Sequence, residues 1–413
     1  MSDPAAPREG FSAVLERLRA KRESALPTRI PRVAREDAAF PLSDGQERLW
    51  LIDRMQPGNA AYNITAAVQF DGPLDPGALA AALAEIARRH ETLRTTFQEV
   101  NGAPVQVIAP VAASPLRIID LSGLPAGDRD VERLARAEAA LPFDLTRGPL
   151  LRIALLRLGV DEHLLLLTLH HIVSDGWSLR ILLRETRLLY QAVLEGRSSP
   201  LPELPVQYVD FVAWQRRWLE SESAGRQLAY WRQQLGEGAP ALQLPGDRPR
   251  PSTQSLRGAS RWLALPPDLS AEIGALSRGA GVTPFVTLLA AFQTLLHRLS
   301  GQPQVATGFP IANRKRPEIQ DLIGFFVNSL VIRAELADDP DFRTLLRRTQ
   351  EAALGAHEHQ ELPFGRLVKE LQPSQERVRF RFDVVRNETR PLVRRELTCD
   401  DDRAWVIGIV RIE

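Results

Sequence analysis

Cysteine occurs once in the 413 residues, at Cys399, so neither an intramolecular disulfide nor a Cys-rich metal site is available and a reducing compartment fits. Lysine is nearly missing. Lys21, Lys315 and Lys369 are three of 52 basic residues, which balance 51 acidic ones to a net charge of +1. Arginine forms no stripe interleaved with aromatic residues, so neither nucleic acid nor an anionic membrane is expected as a partner. No apolar run approaches the ~20 residues that span a bilayer. The N-terminus has no apolar core behind basic residues, which excludes a signal peptide. A soluble cytoplasmic protein without repeats is expected.

What is present is apolar content: 44% hydrophobic residues, enough at this length for two substantial cores. Residues 1–38 stand apart. Phe11, Leu15 and Leu18 fall at helical spacing in a charged surround, and Ala25–Arg35 is rich in Pro and Arg, so this stretch reads as a tail, a linker or a docking element. Arg197–Pro205 (RSSPLPELP), with three prolines in nine residues, divides a first lobe, 39–200, from a second, 201–413. Tyr62–Phe70 reads as a strand, Pro76–His90 as a helix, and Gly148–Leu158 with His163–His171 as an antiparallel pair. Ser178–Leu194 is an amphipathic helix, Tyr208 begins a long helix, and Thr283–Ser300 is another, with Pro284 in its first turn. Val305–Ile311 and Ile323–Arg333 are strand-like.

The chemistry concentrates in Leu164–Ser178, LLLLTLHHIVSDGWS. An apolar run of this kind is a buried strand, ended by the Ser174-Asp175-Gly176 turn. Side chains alternate along a strand, so His170 and His171 point to opposite faces and only one can face a given cavity. No Cys or Glu at ligand spacing supports zinc. One structural and one working histidine is the reading that fits, against two satisfied histidines beside an ordinary turn.

His170, His171, Asp175 and Gly176 match the HHxxxDG signature of the condensation domains of nonribosomal peptide synthetases. The chain is similar to that family elsewhere too. Pro41–Trp50 (PLSDGQERLW) resembles its first motif, with Gly45 for the usual Ala, and Arg89–Phe97 (RHETLRTTF) its second. Tyr208–Trp214 (YVDFVAW) resembles the fourth, and Ile323–Arg333 (IGFFVNSLVIR) the fifth, with Ser329 for Thr. His359–Gly365 (HQELPFG) resembles the sixth, with Glu361 for Asp and Gly365 for Glu. Six motifs thus run in order from Pro41 to about Leu371.

The resemblance implies a mixed α/β fold of two chloramphenicol acetyltransferase-like lobes set in a V around a central tunnel. It implies amide formation between a donor thioester and an acceptor aminoacyl thioester, with HHIVSDGWS most similar to domains taking an L-configured donor. Both thioesters ride on phosphopantetheine arms of upstream and downstream carrier domains, with an adenylation domain as neighbour, no intrinsic cofactor or metal, and a monomeric chain. His171 is implied as the proton-transfer residue and His170 as structural. Asp175 is either a third triad member or, as the family pattern has it, the ion-pair partner of Arg314 in the Ala312-Asn313-Arg314 segment. Gly176 lets substrate approach and offers its N–H to an oxyanion. Trp177 and Ser178 border the site, suited to packing and to capping the next helix; Asn328 and Ser329 line the tunnel. Two other readings share the motif: a non-catalytic docking module, and a free-standing acyltransferase.

The resemblance stops near Pro373. The remaining residues carry nine arginines between Arg377 and Arg411, with few apolar periodicities. Either the second lobe is incomplete there, exposing a sheet edge, or the chain has a genuine alternative ending.

Overall fold

The computed structural model describes residues 29–36, 39–111, 116–125, 130–236, 242–246, 258–371, 381–386 and 405–412. Its first half opens with the short strand β1 (Phe40–Pro41) and helix α1 (Asp44–Met55). Ser43 caps α1 reciprocally: its hydroxyl accepts the Gln46 N–H at 3.2 Å, and Gln46 Oε1 accepts the Ser43 N–H at 3.0 Å. Next come β2 (Asn63–Asp71) and α2 (Pro76–Arg89), where Asp75 caps and Pro76 takes the first helical position. Strands β3 (Thr95–Val100) and β4 (Ala103–Ile108) pair as a hairpin, and β1 adds to β4. β5 (Arg117–Asp120), α3 (Val131–Ala140), β6 (Leu151–Arg157) and β7 (Glu162–His170) lead to α4 (Gly176–Leu194).

The first large sheet has the order β2-β7-β6-β5, so β7 lies inside it, antiparallel to β2 and β6. Interior strands are buried on both faces, which is why five of the nine residues of β7 are leucine, four of them in a row. Leu165, Leu167 and Leu169 pack under α2 and α4 with Leu83, Ile86 and Ile181. Leu166 packs on the opposite face, where α3 lies.

The second half begins with α5 (Tyr208–Leu219) and α6 (Glu222–Leu235). One long helix was expected from Tyr208. It breaks at Glu220, because the Ser221 hydroxyl caps a new helix by accepting the Ala224 N–H. β8 (Gly258–Ala264), α7 (Pro267–Gly279), α8 (Pro284–Ser300), β9 (Gln304–Ile311), β10 (Asn328–Glu335), α9 (Phe342–Glu358) and α10 (Phe364–Leu371) follow. β11 (Arg381–Arg386) and β12 (Trp405–Ile412) come from the tail. The sheet order is β10-β9-β11-β12-β8. The two tail strands are therefore interior, and β12 pairs along its length with both β11 and β8. The open edge expected there is filled by the tail's own backbone; the rest of that tail lies outside the described residues.

A single apolar cluster reaches across the Arg197–Pro205 connection, from Ile30, Leu42 and Ile172 to Phe326 and Leu367. Residues 29–36, expected in the tail, lie against the chain itself. Ile30 is buried, Arg32 donates to the Leu204 and Pro205 carbonyls, and Arg35 pairs with Asp210 at 2.8 Å and Glu91 at 3.1 Å. Phe11, Leu15 and Leu18 lie outside the described residues. Among the described residues, no single helix is long and apolar enough to cross a membrane.

Candidate active site

Strand β7 ends at His170, and His171 opens a turn of 3-10 helix that runs into α4. The chain leaves the strand between the two rings, and their surroundings differ. His170 is 4% exposed, beside Phe143 and Tyr62, and its Nδ1 accepts the Ile172 N–H at 3.2 Å. Burial, with His171 adding to it, pushes its pKa down to about 4, so the ring is neutral at pH 7. His171 is only half-buried. Its Nδ1 lies 2.7 Å from the Ser174 carbonyl, which can only accept, so Nδ1 carries the proton in the neutral ring and Nε2 the lone pair.

Asp175 sits where α4 begins and is fully buried. Its Oδ1 accepts the Ser178 N–H and hydroxyl, both at 2.7 Å, and a bond from Arg314 Nη2 at 3.1 Å; its Oδ2 accepts the Phe326 N–H at 3.1 Å. Arg314 is buried too, and burial lowers its pKa while Asp175 pulls it back up. Its Nη1 donates to the Ile319 and Leu322 carbonyls, and its guanidinium lies 4.1 Å from the Phe326 ring centroid. Of the two roles open to Asp175, the geometry favours the structural one. The Ser174 carbonyl already holds His171 Nδ1, the atom a triad carboxylate would have to take.

Ser178 was expected to cap α4. Asp175 does so, because its extended backbone (φ −142°, ψ 179°) places the carboxylate over the first turn. The Ser178 hydroxyl instead accepts the Gly324 N–H at 3.0 Å and Arg314 Nη2 at 2.9 Å while facing Asp175, so it holds the protein together and offers substrate nothing. Trp177 Nε1–H donates to the Gln320 carbonyl, with Arg180 over its ring. Gly176 is the first residue of the 19-residue helix α4, whose leading N–H groups lack intrahelical acceptors. A Cβ built on Gly176 would meet no atom within 4 Å: it faces open space.

The string Ile323–Val327 was read as the start of a strand, yet strand geometry begins only at Asn328. The reason lies in its backbone donors. The N–H of Ile323 goes to His90 Nδ1 at 3.2 Å, that of Gly324 to Ser178, and that of Phe326 to Asp175, while the Phe325 carbonyl accepts the Tyr208 hydroxyl at 2.7 Å. Gly324 is obligatory, since a Cβ there would overlap the Tyr208 ring. His90 in turn faces Glu185 at 3.0 Å, which Arg89 also engages. Burial lowers the His90 pKa. Burial alone would raise Glu185, but His90 and Arg89 bring it below its ordinary value. A neutral His90 thus donates from Nε2 and accepts at Nδ1. His90 and Tyr208, from the second and fourth motif stretches, thus hold the loop.

Asn328 is also a brace: Nδ2 donates to the Gln360 and Leu362 carbonyls, and Oδ1 accepts the Phe364 N–H. With Ser329, Asp44, Gly45, Phe325 and Gly365 it lines a pocket of about 30 Å³. A Cβ on Gly365 would overlap the Asp44 carboxylate, so the glycine in the sixth motif leaves room for that side chain. Among the described residues, no group of three His, Cys, Asp or Glu side chains could hold a metal.

Comparisons with known proteins bear on this geometry. The condensation-domain family profile matches residues 36–387, past the point near Pro373 where recognisable motifs stop. A linear gramicidin synthase polypeptide of Brevibacillus parabrevis is 49% identical over 342 residues, 82% of this chain but 7% of that protein. Phosphinothricin tripeptide synthetase PhsC of Streptomyces viridochromogenes is 43% identical over 356 residues, 86% of this chain and 33% of its own length. The chain thus spans a small part of these relatives. Among solved structures, the X-domain from teicoplanin biosynthesis, in complex with OxyB, superposes with a TM-score of 0.77 at 26% identity, covering 93% of this chain and 90% of that one. The first condensation domain of the calcium-dependent antibiotic synthetase gives 0.74 at 23%, covering 91% of both chains, a likeness of fold. On the profile match and these identities, the chain belongs to the condensation-domain family.

Proposed function

We propose that the protein joins a donor acyl or peptidyl thioester to an acceptor aminoacyl thioester, forming an amide in nonribosomal peptide synthesis. Upstream and downstream carrier domains bring both substrates on phosphopantetheine arms, an adenylation domain loads them, and the reaction runs in the cytoplasm. The donor has the L configuration. The observation that carries this reading is the His171 ring, whose Nδ1–H is held by the Ser174 carbonyl so that Nε2 carries the lone pair.

An α-amine has a pKa of roughly 8, so about a tenth of it is neutral and nucleophilic at pH 7. Positioning therefore matters more than deprotonation before attack. The amine adds to the thioester carbonyl, and the oxygen gains negative charge. The Gly176 N–H, at the positive end of α4, is the donor assigned to that oxyanion, and the open space where a Cβ would stand lets the substrate approach. The nitrogen must then lose a proton. His171 Nε2 accepts it and passes it to the departing phosphopantetheine thiolate as the carbon–sulfur bond breaks.

His171→Ala, with carrier domains loaded to completion and product formation followed in a single turnover, is expected to slow amide formation by ~10²–10⁴-fold with an unchanged melting temperature. A near-wild-type rate would overturn the reading. The docking alternative predicts carrier binding without product in the unmodified protein, and the same assay separates the two.

A further inference from the structure

The wall beside His170 is built by residues outside all six motifs. Helix α3 ends at Ala140, and the carbonyls at the end of a helix lack intrahelical donors. Two strands of the sheet supply them. Arg152 on β6 donates from Nη2 to the Glu138 and Leu141 carbonyls at 3.1 and 2.8 Å, and from Nη1 to the Pro142 carbonyl at 3.2 Å. Asn63 on β2 donates from Nδ2 to the Ala139 and Leu141 carbonyls, both at 2.8 Å. Arg152 Nε–H goes to the buried Glu138 carboxylate at 2.7 Å, whose other oxygen accepts from Arg117 at 3.2 Å. The guanidinium is thus fixed by a charge and by three carbonyls.

That grip decides where Phe143 stands. Its ring, 8% exposed, has the Arg152 guanidinium 3.8 Å from its centroid and meets the His170 ring edge-to-face, centroids 6.0 Å apart and planes at 81°. Alternation along the strands puts Asn63, Arg152 and His170 on one sheet face with Ala67, Ala154 and Leu166, the face on which α3 lies. Asn63 and His170 are direct cross-strand partners. His170 Nδ1 accepts the Ile172 N–H at 3.2 Å, a bond that steps across His171. A His170 ring that swings away, or that takes a proton at Nδ1, drops this bond, and the turn loses its tie across position 171.

We propose that Arg152 is a positioning residue for the working histidine: by gripping 141–143 it seats Phe143 against His170 and so preserves the Ile172 bond that holds His171 in place. The inference rests on the catalytic reading of His171. A misplacement of the order of 1 Å at a reacting group can cost up to about 10²-fold in rate. Lysine cannot substitute. An ammonium has too few donors for the Glu138 carboxylate and three carbonyls at once, and no flat face to lay against Phe143.

The experiment uses the full chain with loaded carrier domains, and follows amide hydrogen exchange at Ile172 by NMR beside the kinetics. Arg152→Lys is expected to lower kcat about tenfold or more, to keep KM for both carriers within about twofold, and to speed exchange of the Ile172 amide. Phe143→Leu removes the ring and leaves the Arg152 donors in place. It is expected to act in the same way, and it decides the matter if Arg152→Lys does not fold. In a His170→Ala chain, which has no acceptor left to lose, Arg152→Lys costs no further rate. A brace that served stability alone would lower the melting temperature and leave both kcat and Ile172 exchange unchanged. Full kcat in either single variant, an Ile172 amide as protected as before, or losses that multiply in the double variant would each overturn the proposal. Unchanged Ile172 exchange in Arg152→Lys beside a dead His171→Ala overturns this inference alone. A full-rate His171→Ala overturns the catalytic reading, and the positioning role falls with it.

Discussion

The turn at 171–178 and the loop at 323–327 meet at Asp175, and they become rigid by opposite means. The turn is held from within: Ser174 accepts from His171, and Asp175 caps the helix that it starts. The loop has almost no internal bonds of this kind; His90, Ser178 and Asp175 take its N–H groups and Tyr208 its carbonyl. A segment that makes its own bonds leaves a sequence signature, whereas a segment bonded by others leaves the signature on them. Asp175 and Ser178 belong to both, so the comparison can be broken there first.

Asp175→Ala removes the acceptor common to turn and loop and leaves Arg314 buried without its carboxylate. It should cost about 3–5 kcal/mol in chemical denaturation and abolish activity together with stability. Unchanged stability with lost activity would return Asp175 to direct chemistry.

Acid sharpens the contrast, because each region leans on a neutral histidine. The unfolded chain binds a proton at position 170 below about pH 6.5, while the folded one refuses it until about 4. The unfolded state therefore holds more protons in this window. Stability contributed by His170, complete above pH 6.5, should fall by about 3 kcal/mol as pH drops to 4. His90, under the loop, acts in the same direction, among Glu185, Arg89 and Arg184. In His170→Asn, whose Oδ1 can take the Ile172 N–H, the slope of unfolding free energy between pH 6.5 and 4 should flatten; an unaltered slope would place the acid sensitivity elsewhere.

Asn328→Ala loosens only the loop side by unpairing Gln360, Leu362 and Phe364. It should cost about 1–3 kcal/mol and leave the turn's amide protons protected from hydrogen exchange. Loss of protection in both regions would mean that they behave as one unit.

Gly176→Ala touches only the turn side and has the smallest structural effect. No atom obstructs the added methyl, so stability should change by less than about 0.5 kcal/mol while amide formation slows. A full-rate variant would show that substrate does not approach there.

The turn was legible because its residues carry the pattern: a leucine-rich interior strand, two adjacent histidines at its end, and a short polar cap. Asp175 and Arg314 are 139 residues apart, and only the family resemblance suggested their pairing. The loop was misread because Ile323–Val327 is as apolar as any strand, and nothing local shows that its donors end on side chains more than a hundred residues away. The tail was underestimated for a different reason. Its arginines drew attention from the alternation Val378-Arg379-Phe380-Arg381-Phe382-Asp383-Val384 and from the apolar run Trp405–Val410. Both are strand signals, and the strands β11 and β12 overlap those two stretches. Gly45 and Gly365, read as departures from motifs, stand where Phe325 and the Asp44 carboxylate fill the space.

The segment 29–36 carries a mechanical consequence. Arg35 ties Glu91, just past the end of α2, to Asp210 in the first turn of α5, while Arg32 grips the connection at Leu204–Pro205. Any hinge motion that draws α2 away from α5 must break this clasp. Arg35 is about one-third exposed, so ionic strength tunes how firmly the clasp closes. A pull transmitted along the chain from the N-terminal side reaches these arginines before it reaches any strand of the sheets.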